Sequence, residues 1–180
     1  GFGAYSADYS FFMDGGKESR ARSRQAVDEN MRGEVSLVKD LSPDFALFQE
    51  VDIYGTRSWH IAEDAYLDDV MGNSEFNKVF AQNYDSPYLF YPFIDPHGAN
   101  QSGIVTLSRH AISSAVRRSL PVETGFMKLV DLDRCYSASR IPAENGKELV
   151  LYNLHLSAYT SDGTIATEQL QMLCADMLAE

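Results

Sequence analysis

Two apolar runs, far apart in the chain, each carry a side chain able to do chemistry. The first is Pro43-Asp44-Phe45-Ala46-Leu47-Phe48-Gln49-Glu50-Val51; the second is Leu149-Val150-Leu151-Tyr152-Asn153-Leu154-His155-Leu156. A Glu inside a buried strand is costly to desolvate, whereas at a strand end it can meet solvent or a hard cation. An imidazole, with an unperturbed pKa of about 6.5, can donate a hydrogen bond or a proton near neutral pH. Asn153 and His155 alternate, so both point to one face, which must then be wet or functional. Without Asn153, a lone His on an apolar strand reads as a satisfied core residue. On position alone Glu50 reads as an acid paired with an Arg. If Val51 continues the strand, Asp52 faces the same side as Glu50; an exposed loop carboxylate is an equal reading for Asp52.

These side chains need elements to position them. Gly1 to Lys17 reads as loop, with Met13-Asp14-Gly15-Gly16 as a turn. Ser19 to Leu41 reads as an amphipathic helix carrying Val27, Met31, Val35, Val38 and Leu41 on one stripe. Ser42-Pro43-Asp44 stops it and starts the first strand. Ile61, Ala65, Val70 and Met71 suggest a short helix stopped at Gly72-Asn73. Tyr84 to Phe93 reads as a loop folded onto the core by its rings; the sharper alternative is an apolar wall beside a pocket, or a membrane-touching loop. A polar loop from His97 to Gly103 leads into the strand Ile104 to Arg109. Arg134 to Ile141 and Glu148 to Leu156 form a hairpin turned through Asn145-Gly146. Thr164 to Glu180 reads as a helix capped by Asp162 or Thr164, with Ile165, Leu170, Leu173 and Met177 on its inner face. The order predicts an α/β fold rich in sheet.

Composition sets the outer bounds. At 180 residues and 44% hydrophobic, the chain suits one domain with a sizeable core. It carries no targeting signal and no membrane-length apolar stretch; the abrupt start leaves room for a removed N-terminal signal or anchor, and location stays open. Cys135 and Cys174 read as small core residues and make no disulfide framework. A formal net charge of −11 argues against tight, non-specific nucleic-acid binding. The nucleophile-elbow and phosphate-loop glycine motifs are both absent.

Three segments taken in order resemble the endonuclease/exonuclease/phosphatase superfamily. They are Asp44-Phe45-Ala46-Leu47-Phe48-Gln49-Glu50-Val51-Asp52, Ser102-Gly103-Ile104-Val105-Thr106-Leu107-Ser108-Arg109, and the strand from Leu149 to Leu156, followed by helical Glu168-Gln169-Leu170-Gln171-Met172-Leu173. The resemblance implies a four-layer α/β/β/α sandwich and metal-dependent hydrolysis of phosphate esters. It implies that Glu50 binds a divalent cation, Mg2+ or alternatively Mn2+, and that Asn153 and His155 form the catalytic strand. Set against that pattern, residues 1–180 are expected to form one incomplete domain, lacking its first strand and C-terminal third. The Asp-x-Asn and Asp-His motifs are not found, so the general base is expected outside the chain and the fragment is expected to be inactive.

Arg140 and Arg109 are candidate phosphate contacts, since guanidinium forks fit phosphate oxygens; a surface ion pair is the competing reading. Ser102 and Gln101 are candidate cleft residues through the loop before the strand. His60, His97 and His110 read as surface residues, His97 also as a weak pocket candidate. A lipid or small-molecule phosphoester is favoured over nucleic acid, and no protein partner is implied. The alternative is a non-catalytic binding or scaffold module that keeps the fold.

Overall fold

The computed structural model describes residues 2–72, 75–122, 133–157 and 163–179. Asn73 and Asp162, two expected helix boundaries, lie outside these residues. The described elements, in chain order, are a 3-10 turn Phe12–Asp14, α1 Arg24–Leu41, β1 Phe45–Gly55, α2 Glu63–Met71, β2 Asn77–Leu89, β3 Gly98–Ser108, β4 Ser114–Ser119, β5 Cys135–Pro142, β6 Glu148–Leu154 and α3 Thr164–Ala179.

Two antiparallel three-stranded sheets, ordered β1-β3-β2 and β4-β5-β6, pack face to face. The outer side of the first sheet is covered by α1 and α2, which bury Val27, Met31, Val35 and Leu67 against Ala46, Phe48, Val51, Val105 and Leu107. On the second sheet, α3 places Leu173 against Leu120, Tyr136 and Ala138. Strand alternation sorts the remaining side chains: Ile104 and Cys135 meet Ala81 between the sheets. This is an incomplete α/β/β/α sandwich, the architecture expected from the sequence.

Several boundaries differ from expectation, each for a local reason. The first helix starts at Arg24, five residues late. Ser23 caps it by accepting from the Ala26 amide at 3.1 Å. The backbone before it is engaged elsewhere: Ala21 N donates to Arg57 O at 2.7 Å, and Ala21 O accepts from Trp59 Nε1 at 2.8 Å. Its stop is as read, with Ser42 in a left-handed conformation (φ 47°) donating to Val38 O.

β2 runs through Pro87 to Leu89, where a loop was expected. It is an edge strand, and its register slips between Ser86 and Leu89, so the missing amide is tolerated. β3 likewise begins at Gly98, inside the expected polar loop. β4 was not foreseen; Ser-Ala-Val-Arg-Arg-Ser is exposed throughout and pairs antiparallel with β5. On α3 the inner face is Gln169 and Leu173, while Leu170 and Met177 are exposed. Cys135 is buried as expected, but Cys174 is exposed.

Candidate active-site cleft

The cleft opens where the first sheet loses its register. Phe48 pairs with Val105, but Val51 pairs with Gly103, so β1 carries one extra residue around Gln49-Glu50. β2 does the same at that level: Gln82 pairs with Gly103 and Tyr84 with Ser102, leaving Asn83 as the extra residue. Glu50 accordingly sits in a left-handed conformation, φ 57°. It therefore leaves β1 at a mid-strand bulge, and not at the strand end its sequence suggested. Gly103, opposite both bulges, has no room for a side chain; a Cβ there would lie 2.4 Å from the Phe80 ring.

Asp52 is wholly buried, so the exposed-loop reading fails. Both its oxygens accept from Arg57, with Nη2 at 2.7 Å and Nε at 3.1 Å. Arg57 reaches on to Glu50 Oε2 at 2.9 Å. Its own backbone is fixed by the buried Asn100, whose Oδ1 accepts from Arg57 N at 3.0 Å. Burial works against the guanidinium charge, but the two carboxylates overcome it and hold Arg57 protonated. Glu63 of α2 supports the arrangement by accepting from the amides of Gly3 (3.1 Å) and Asp52 (2.9 Å); burial pushes its carboxyl up.

His155 follows β6 and brings its Nε2 to 3.4 Å from Glu50 Oε1. Its Nδ1 faces Arg134 Nη1 at 3.0 Å and Asn83 Nδ2 at 3.1 Å. A guanidinium can only donate, so Nδ1 accepts and the ring proton sits on Nε2, toward Glu50. Burial, reinforced by the adjacent Arg134, pushes the imidazole down to about 4, so it is neutral at pH 7. Glu50 shows the opposite balance. Burial raises its carboxyl, but the surrounding positive charge, Arg57 included, outweighs this and holds it below the usual range.

Glu50, Arg57, Asn83, Tyr84, Ser102, Arg134 and His155 line a cleft enclosing about 40 Å³, space for roughly three waters. The segment before α1 covers it with Tyr5, Phe11, Phe12 and Asp14. His97 also lines the cleft, and is buried, not a surface residue. Its Nδ1 lies 2.7 Å from Ser19 O, and burial pushes it down to about 4.

The other expected residues are placed differently. Asn153 is fully buried beneath the cleft and ties the sheets together: its Nδ2 donates to Val105 O (2.9 Å) and Thr106 Oγ1 (3.2 Å), and its Oδ1 accepts from Gln49 at 2.8 Å. Gln101 points away, toward Asp85 at 3.2 Å. Arg109 donates to Pro43 O and Ser42 Oγ and lies over Phe76. It follows Ser108, which pairs with Phe45, so it is about 16 Å along the strand from Glu50. Arg140 pairs with Glu148 at 3.0 Å; its register partner Val150 precedes His155 by about 16 Å of strand. The cleft cations are instead Arg57 and Arg134. Arg134 had a readable signal: the hairpin register that sets Tyr136 opposite Leu154 carries it to the level of His155.

A carboxylate held ionised and turned to a cleft fits a hard divalent cation, which needs only one or two carboxylates beside water and phosphate oxygens. The donor set in hand is small. Glu50 shares one oxygen with Arg57, and no cluster of three or more ligating side chains occurs among the described residues.

No family model and no curated protein matches the chain. Solved structures do. An endonuclease/exonuclease/phosphatase from Beutenbergia cavernae aligns with a TM-score of 0.61 at 19% identity, over 79% of this chain and 37% of that one. An endonuclease/exonuclease/phosphatase family protein from Leptotrichia buccalis gives 0.57 at 14% identity, over 82% and 56%. The human Nocturnin catalytic domain with bound sulfate gives 0.53 at 16% identity, over 82% and 50%. The chain thus spans between about a third and somewhat over half the length of these structures. At 14–19% identity the likeness is one of fold: the chain shares the fold of these endonuclease/exonuclease/phosphatase structures.

Proposed function

We propose that the chain carries the cation- and phosphate-binding half of a divalent-metal-dependent phosphoesterase, with Mg2+ or Mn2+ held by Glu50. The observation supporting this reading is the 3.4 Å approach of Glu50 and His155, which are brought from opposite sheets into one cleft. A bound divalent cation would supply neutralisation of the charge that builds on the phosphoryl oxygens. The chain's own groups do the rest. Arg57 fixes the Glu50 carboxylate and adds to the positive charge that keeps it ionised. His155, neutral with its proton on Nε2, donates to a non-bridging phosphate oxygen. Arg134 holds that tautomer and adds positive charge to the cleft wall. His155 does not serve as the water-activating base, because its Nδ1 lone pair is engaged by Arg134.

Asn153 sets the height of β6 against β1 and β3, which makes it a positioning residue. The substrate class we favour is a lipid or small-molecule phosphoester over nucleic acid, supported by the net charge of −11. An ion-paired Glu50 is also what a non-catalytic module with this fold would carry, and one experiment separates the two. The full-length natural protein is assayed on a generic phosphodiester with Mg2+ or Mn2+ present or chelated. We expect chelation to abolish turnover and Glu50→Gln to lower kcat by about 100-fold or more. Equal rates for wild type and variant would remove the phosphoesterase reading and leave the module.

A further inference from the structure

The segment Pro87-Tyr88-Leu89-Phe90-Tyr91-Pro92-Phe93-Ile94 contains no charge. Its rings do not fold onto the core, contrary to the first reading of the sequence. They touch each other, with centroids 4.9 Å apart for Tyr88 and Phe90 and 5.9 Å for Tyr91 and Phe93. Phe90 is 68%, Phe93 84% and Ile94 101% exposed. Side chains this open stand on a convex tip. A peptide or small ligand needs a concave wall to bury itself, and Phe90, Phe93 and Ile94 are too exposed to form one. A fluid apolar layer deforms around a protrusion and can cover all sides of it.

The surroundings of the tip suit that layer's boundary. Asp95, directly after Ile94, is held by Arg20, whose guanidinium lies 5.1 Å over the half-exposed Trp59; Arg24 donates to Trp59 O at 3.0 Å. Four of the chain's 15 Lys and Arg (Lys17, Arg20, Arg22 and Arg24) fall in this short stretch. Indole, phenol and guanidinium groups are the side chains that settle at headgroup level. Much of this charge is balanced, since Arg20 pairs with Asp95 and Arg22 lies 3.8 Å from Asp8. With a chain total of −11, an anionic surface would repel the molecule. A zwitterionic phospholipid surface would not. The tip is also continuous with the cleft: Leu89 and Phe12 line the cleft, and Phe12 lies 5.5 Å from Tyr91.

We propose that the 87–94 tip docks the protein on a zwitterionic phospholipid surface. Phe90, Phe93 and Ile94 enter the acyl boundary, Arg20, Arg24 and Trp59 sit among the headgroups, and the Glu50–His155 cleft faces phosphoesters carried in that surface. The last clause rests on the phosphoesterase reading; the docking does not. The full-length protein is sedimented with phosphatidylcholine vesicles, and with vesicles containing phosphatidylserine. Wild type should co-sediment with the first and no better with the second. Phe90→Ser/Phe93→Ser/Ile94→Ser should lower the partition constant by about 100-fold with an unchanged unfolding midpoint and unchanged turnover of a soluble phosphodiester. Phe93→Ser/Ile94→Ser, confined to the two most exposed positions, provides a second variant should the triple fail to fold. Glu50→Gln should bind vesicles as wild type does, so loss of turnover and loss of docking are read separately. The proposal is overturned if wild type stays in the supernatant, if the tip variants partition equally, or if light scattering shows a dimer that the tip substitutions dissolve without any vesicle binding.

Discussion

The two ends of the β1-β3-β2 sheet are built on opposite terms. At one end Phe45 and Asn77 both meet Ser108 in regular register, and the charges nearby keep contact with water: Arg109 over Phe76 and Asp68 are exposed, Lys78 and Asp64 half-buried. At the other, β1 and β2 both slip against β3, and Asp52, Arg57, Asn83 and Asn100 are nearly or wholly buried. Regular pairing consumes the backbone and turns side chains alternately in and out. A bulge breaks that alternation and re-aims a side chain into the gap, which is how Glu50 and Asn83 come to face one cleft. The polar groups gathered there are costly to bury and persist because nearly all have partners, the Oδ1 of Asn83 being an exception. The regular end tolerates loss of a charge; the bulged end should not.

The largest expected effect follows from that contrast. Arg57→Ala leaves Asp52 buried with neither of its guanidinium contacts and Glu50 without its clamp. Breaking a buried pair from one side costs about 3–5 kcal/mol. The urea midpoint should fall accordingly, and a shift under about 1 kcal/mol would mean the cluster is far better solvated than its burial implies.

Next comes acid. His97 is buried and His155 mostly so, and both are pushed down to about 4 from an ordinary 6.5. Their folded pKa lies below the unfolded one, so the unfolded chain takes up protons first as pH falls. Stability is intact above about 6.5 and is lost progressively toward 4, by about 3 kcal/mol for each ring. His97 touches no cleft carboxylate, so His97→Gln isolates its share. Measured by thermal unfolding, the variant should lose less stability than wild type between pH 7 and 4; identical slopes would place the loss elsewhere.

The legibility of the sequence divides along the same line. β1, the core of β3 and the β5–β6 hairpin could be read because apolar runs and Asn145-Gly146 are local signals. Glu50 and His155 could be read because each interrupts such a run. Arg57 could not: its place depends on the turn after Gly55 folding the chain back onto Asp52, and no spacing rule announces that. The bulge at Glu50 was invisible for the same reason, since an extra residue in one strand is defined only by its partner. Arg109 and Arg140 suit phosphate by their chemistry, and only the strand register shows that they lie far from Glu50 and His155. Asn153 reads in the sequence as sharing a wet or functional face with His155; in the fold its partners are Gln49 and the carbonyls and hydroxyl of the facing sheet.

The smallest expected effect tests regular pairing in the second sheet, away from the bulges. Arg140 pairs with Glu148 beside the turn of the β5–β6 hairpin, with side chains 36% and 39% exposed. Two long side chains lose rotamer freedom to hold that geometry, water screens the attraction, and such pairs contribute about 0–1 kcal/mol. Arg140→Ala should therefore move the urea midpoint little, leave phosphodiester turnover unchanged, and show an even smaller difference at 0.5 M salt, where screening is stronger. The backbone ladder through Val150 and Ser114 needs no guanidinium to form. A loss of turnover in Arg140→Ala would mean that phosphate is bound at this end after all. The bulges around Gly103 would then be a way of packing two sheets, and the separation between a working end and a structural end would fail.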